Sequence, residues 1–192
     1  MGKELILASS SPRRQELLKQ VNIPFQIRTA NVDESVIQTT NPIEKVKQLA
    51  ELKGQAIPFQ HKNEVILAAD TIVAHNERIF EKPKDKEEAY YMMSTFSGNS
   101  HDVYTGVLIR SDEKEVIFVE KTKVEFWPLT DEEIKWYIST DDPYDKAGGY
   151  GIQSLGSIFV KQIVGDYYNV MGLPISKVVR KLRDFQIYPK YK

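Results

Sequence analysis

The chain has 192 residues, enough for one filled core or two lobes around a cleft, and with 41% hydrophobic and 28% charged residues it is too apolar to be disordered. Its 26 Lys and Arg against 27 Asp and Glu leave a net charge of -1, so no global basic field favours nucleic acid or a membrane surface, and any anion must be bound by local groups. There is no cysteine, which excludes disulfides, zinc-thiolate sites and thiol nucleophiles and suits the cytosol.

In chain order, Glu4 to Ala8 reads as a short buried strand. This apolar stretch is far too short for a signal-peptide core and no segment approaches membrane-spanning length, so neither export nor anchoring is expected. Ser9, Ser10 and Ser11 lead into a helix opened by Pro12, which suits the first helical position. Leu17, Leu18 and Val21 give this helix its apolar side, and Asn22 to Pro24 end it before a second strand, Phe25 to Arg28. Asn41-Pro-Ile-Glu44 combines an N-cap, a proline and a capping-box glutamate. A helix should therefore run to Leu52 or beyond, with Ile43, Val46, Leu49 and Ala50 inward. Glu64 to Val73 is too continuously apolar to alternate, which predicts a central strand covered on both faces, with a hairpin turn at His75 to Glu77.

Asp85-Lys-Glu-Glu88 repeats the capping logic ahead of Ala89, Met92, Met93 and Phe96, and Gly98 supplies the stop. The polar turn Ser111 to Lys114 joins two long strands, His101 to Arg110 and Glu115 to Trp127, as an antiparallel pair. Thr130-Asp-Glu-Glu133 starts a helix with Ile134, Tyr137 and Ile138 inward, and Asp141-Asp-Pro143 breaks it before a glycine-rich loop, Tyr144 to Gly156. Ser157 to Val164 returns to strand, and Pro174 opens a last helix with Ile175, Val178, Val179 and Leu182 inward. This mixture of hairpins and strand-to-helix connections predicts an α/β protein with a mixed central sheet and flanking helices, and residues 1–192 are expected to form a single domain.

Two places carry chemistry on their own account. Ser9-Ser-Ser-Pro-Arg-Arg14 joins a strand end to a helix start, where unpaired N–H groups and the helix dipole favour an anion. Arginines in a first turn oppose that dipole, and a bound phosphate reconciles the conflict. The other reading is a solvated basic turn. Asp70 follows five apolar residues, Val65 to Ala69, and burying even a neutral polar group without a partner costs on the order of 2 to 7 kcal/mol. It is either a carboxylate satisfied by backbone N–H groups or a functional acid at the end of a central strand. Glu34, Lys53 and Lys82 complete a set suited to phosphoryl chemistry: carboxylates for a hard divalent metal and cations for developing charge. The loop Asp145-Lys-Ala-Gly-Gly-Tyr-Gly-Ile-Gln153 lacks the Gly-Lys-Ser/Thr ending of a Walker A motif. Its glycines either permit tight turns or let backbone approach a base or sugar, with Gln153 able to donate and accept. His61, His75 and His101 lack metal-pair spacing and read as structural or exposed.

Taken together, Leu7-Ala-Ser-Ser-Ser-Pro-Arg-Arg14, Ala69-Asp-Thr71, Glu81-Lys-Pro83, Phe96-Ser-Gly98, Asp145-Lys-Ala-Gly to Gly151-Ile-Gln153 and Gly172-Leu-Pro174 resemble the Maf family of nucleoside triphosphate pyrophosphatases over nearly the whole chain. The resemblance implies an α/β fold similar to that of inosine triphosphate pyrophosphatases, with two lobes flanking a cleft. It implies cleavage of nucleoside triphosphates to monophosphate and pyrophosphate with a divalent metal, Mg²⁺ or Mn²⁺. By the same analogy Asp70 is the proton acceptor for water attacking the α-phosphorus. Arg14, Lys53 and Lys82 hold phosphates, joined by Ser9 and Ser11 of the anion-binding turn, and Glu34 shares the metal with Asp70. Arg13, Thr71 and Gln153 match the specificity positions of the branch that prefers dTTP and UTP. A homodimer in the cytoplasm is compatible with the resemblance. Two other readings compete: a nucleotide-binding regulator of cell division or septum formation, and an RNA-binding module, which the neutral charge and the lack of a basic aromatic stripe disfavour.

Overall fold

The long apolar strand predicted at the centre of the chain organises the rest of the molecule. In the computed structural model, which describes residues 2–190, it is β3 (Glu64–His75). β1 (Glu4–Leu7) runs parallel to it and to β2 (Phe25–Ile27). β4 (Arg78–Phe80), β5 (Ser100–Arg110), β6 (Glu115–Phe126) and β7 (Val160–Val164) complete one mixed, seven-stranded sheet in the order β2-β1-β3-β5-β6-β7, with β4 also on β3.

Alternation along β3 assigns its two faces. Val65, Leu67 and Ala69 pack with Leu17 and Leu18 of α1 (Pro12–Gln20) and with Val178 and Leu182 of α6 (Ile175–Asp184). Ile66 and Ala68 pack with Ala50 of α2 (Pro42–Gln55), and Ile72 and Ala74 with Val46 of the same helix. Farther along the first face, Val73 belongs to a separate cluster with Met92, Met93 and Phe96 of α3 (Lys86–Phe96) and with Ile134 and Tyr137 of α4 (Asp131–Ile138). These two apolar clusters on one face are the expected two lobes, and the long strands run through both.

The cleft follows from pairing. β1 covers one edge of β3 only from Glu64 to Leu67, and β4 covers that edge only from Val73 to His75, while β5 lines the other edge without a break from Ile66 to Ala74. Ala68 to Ile72 therefore face a gap in the sheet where β1 ends and turns into α1. Asp70 pairs across β5 with Gly106, where an added Cβ would lie 2.2 Å from the Val46 carbonyl oxygen. Glycine there lets α2 settle on the sheet.

Three expectations are corrected. Ser157 to Val164 is not all strand: Leu155–Phe159 forms a 3₁₀ turn, and strand begins at Val160. Ile43 is 45% exposed, because the inward stripe of α2 begins one turn later at Val46. Val179 is only half-buried, and a short helix not predicted, α5 (Tyr167–Val170), precedes α6.

Candidate active site

Every residue singled out from the sequence lines one cleft of about 870 Å³: Ser9, Ser11, Arg13, Arg14, Glu34, Lys53, Asp70, Thr71, Lys82 and Gln153. The sheet gap explains the convergence, since β1, β3 and the chain after β4 all reach it. Asp70 is 9% exposed, yet it is not stranded. As an even-numbered residue of β3 it faces α2, and Lys53 Nζ donates to its Oδ1 at 2.5 Å. The same ammonium lies 3.0 Å from Glu34 Oε1, so two carboxylates share one positive charge. Glu34 is delivered by a 3₁₀ turn (Glu34–Val36) that Asp33 caps by accepting from the Ser35 amide.

Two carboxylates converging on one cation suit a hard divalent metal, which commonly binds through one or two carboxylates plus phosphate oxygens and water. Glu34 and Asp70 are the residues that would hold it. Among the described residues no group of three or more His, Asp or Glu side chains converges, here or elsewhere, so these two carboxylates are the protein ligands the cleft offers.

Thr71, the next residue, points to the opposite face and meets α1. Its hydroxyl accepts from Arg14 Nη2 at 3.2 Å and lies 2.9 Å from Thr105 Oγ1. Arg14 also donates from Nε to the Gly172 carbonyl at 2.8 Å and from Nη1 to Ser9 Oγ at 3.0 Å. Burial lowers the Arg14 pKa, opposed by the Asp70 charge, but a guanidinium stays protonated. Three of its five donors are spent on the scaffold, and two remain for a ligand. α1 has no acid in its first turn and no side-chain hydrogen bond from Ser11, so its N-terminal amides are available to an anion.

Arg13 faces the other way. Its Nη1 donates to Asp145 Oδ2 at 3.1 Å, across the cleft mouth. Gln153 and Lys82 are exposed on the cleft wall, where Lys82 makes no hydrogen bond among the described residues. The glycine-rich loop folds as successive 3₁₀ turns, Asp142–Asp145 and Ala147–Gly149, with Gly148 at φ 73 against Val73. Only glycine fits that approach.

Sequence reasoning passed over the residues that hold this loop. Asp142 and Lys146 are nearly buried and bonded to one another, and Asp145 links them to Arg13. Behind the loop, Tyr150 Oη lies 2.7 Å from His101 Nε2 in a cluster with Phe96 and Phe126. Burial, with a smaller push from His75, depresses the His101 pKa to about 3 and keeps the ring neutral. His101 is structural, as expected, and His61 is exposed.

A family model described as Maf-like protein matches residues 4–185. The chain is 50% identical over 183 residues to a dTTP/UTP pyrophosphatase of Bacillus cytotoxicus, covering 95% of this chain and 96% of that protein. It is 49% identical over 185 residues to a dTTP/UTP pyrophosphatase of Bacillus cereus, covering 96% and 97%. Among solved structures, a HAM1 protein from Coxiella burnetii aligns over 95% of this chain and 99% of that one with a TM-score of 0.50. At 11% identity that likeness is one of fold alone.

Proposed function

Since the chain belongs to the Maf-like protein family, we infer that it hydrolyses dTTP and UTP to the monophosphate and pyrophosphate. It is a nucleoside triphosphate diphosphatase, a hydrolase acting on acid anhydrides. The observation that carries this reading is the meeting of Asp70, Glu34 and Lys53 in the sheet gap, beside an anion-binding helix start.

Asp70 takes a proton from water, whose oxygen bonds to the α-phosphorus as the bond to the departing pyrophosphate breaks. Substrate phosphate competes for the Lys53 ammonium, which frees Asp70 for the proton. Arg14 and Lys82 offset charge on the triphosphate and on the leaving group, while Ser9, Ser11 and the amides of α1 cradle a phosphate. Arg13 and Gln153 face the base, and Thr71 stands between the two ends with its hydroxyl on Arg14. A divalent cation held by Glu34 and Asp70 would supply Lewis-acid stabilisation of the phosphates. A cytoplasmic homodimer fits this reading, and size-exclusion chromatography with light scattering tests the dimer.

The alternative of a nucleotide-binding regulator is not favoured, because the relatives are named as enzymes. No helix among the described residues is long and apolar enough to cross a membrane. A panel of nucleoside triphosphates with Mg²⁺ or Mn²⁺, assayed for pyrophosphate and orthophosphate, tests the function. Pyrophosphate release strongest with dTTP and UTP is expected. Orthophosphate as the primary product would overturn it.

A further inference from the structure

The glycine-rich loop contains a chain of charges that the reaction above leaves unused. Asp145 bridges two cations: Oδ2 accepts from Arg13 Nη1 at 3.1 Å and Oδ1 from Lys146 Nζ at 2.5 Å. Lys146 spends its other donors on Asp142, at 2.7 Å to the carbonyl and 3.2 Å to Oδ1. With three donors and three acceptors, the ammonium has nothing left for a substrate. Asp142 is itself pinned, since Oδ2 accepts from Tyr137 Oη at 2.8 Å, Ser154 Oγ at 2.9 Å and the Gly156 amide at 3.2 Å. One buried anchor thus positions both Asp145 and the segment that carries Gln153.

An isolated exposed ion pair contributes little to stability, so the Arg13–Asp145 contact is a poor device for that purpose. Its value is orientation. A long side chain at the cleft mouth samples many rotamers, whereas a guanidinium bonded to a carboxylate already fixed by Lys146 presents its remaining donors in one direction. Although partial burial opposes it, the bonds from Lys146 and Arg13 keep Asp145 ionised below the usual carboxylate range. The charge that holds Arg13 is therefore present at neutral pH.

We propose that Asp145 is a specificity-positioning residue: by bridging Lys146 to Arg13 it aims the guanidinium at the base. Uracil and thymine offer a carbonyl acceptor at C4, where cytosine offers an amino donor. An aimed cationic donor favours the former and leaves the latter unpaired. This rests on the reading of Arg13 as a base-facing residue.

The test is the ratio of kcat/KM for UTP over CTP in the wild type, Asp145→Asn, Asp145→Glu, Arg13→Ala and the Arg13→Ala/Asp145→Asn double variant. Asp145→Asn should lower the ratio about tenfold, chiefly through a higher KM for UTP, and Asp145→Glu should restore part of it. Added to Arg13→Ala, Asp145→Asn should have no further effect, because its action passes through that guanidinium. An unchanged ratio in Asp145→Asn, or an equal loss in the Arg13→Ala background, overturns the proposal while leaving the function intact. A wild type without preference for UTP overturns the functional reading and the proposal together.

Discussion

At the end of the cleft proposed to hold phosphates, Arg14 is ringed by protein groups and bonded to Ser9, Thr71 and the Gly172 carbonyl. At the end proposed to face the base, the neighbouring Arg13 is 31% exposed and leans on a carboxylate that is 61% exposed. Consecutive residues of one helical turn are thus treated oppositely. The proposed phosphate end draws chiefly on β1, β3, α1 and α2, elements fixed by the core. The base end is assembled from a loop of 3₁₀ turns held by a few polar contacts. On the proposed assignment, the contrast separates what must be constant, the chemistry at phosphorus, from what can be tuned, the choice of base.

Lesions at the two ends should therefore fail differently. The largest effect is expected for Asp70→Asn, which removes the proposed proton acceptor and should lower kcat about 10²- to 10⁴-fold for dTTP and UTP alike, measured as pyrophosphate release. A change in base preference instead would break the division of labour. Next is Arg14→Met, which removes the guanidinium donor from the oxygens of Ser9, Thr71 and Gly172. It should destabilise the protein by about 3 kcal/mol in denaturant unfolding and raise KM equally for both nucleotides.

A smaller effect concerns His101 behind the loop. Its folded pKa of about 3 lies below the ordinary 6.5, so neutral His101 supports the folded state fully above pH 6.5. That support is lost as pH falls toward 3, by about 2 kcal/mol at pH 5. Glu64, held by Arg28 to about 2, loses its contribution only below its ordinary 4.5, so the window from 6.5 to 4.5 isolates the histidine. Thermal melts across that window should slope in the wild type and flatten in His101→Phe. Parallel slopes would remove His101 from this role.

Local signals made most of the fold legible. The box at Thr130 and Glu133 closes reciprocally, Asn41 caps α2, and the unbroken apolar run of β3 is indeed covered on both faces. The phosphate end was legible for the same reason: a strand end, serines and a helix start are contiguous in sequence. What holds Asp70 was not. Its partner sits on α2, and only the strand's alternation in the folded sheet aims Asp70 at Lys53 and Thr71 at Arg14. The base end was least legible, because the Asp142 anchor reaches Ser154 and Gly156 through a loop without periodicity. The same anchor bonds the Gly156 amide within the 3₁₀ turn Leu155–Phe159, whose last residues, Ser157 to Phe159, read as strand from the sequence.

In the proposed mechanism, water activated at Asp70 attacks the α-phosphorus. Hydrolysis of dTTP in oxygen-18-labelled water, with both products examined by mass spectrometry, addresses it directly. One labelled oxygen in the thymidine monophosphate and none in the pyrophosphate is the expected result. Label in the pyrophosphate, or orthophosphate as the first product, would contradict it.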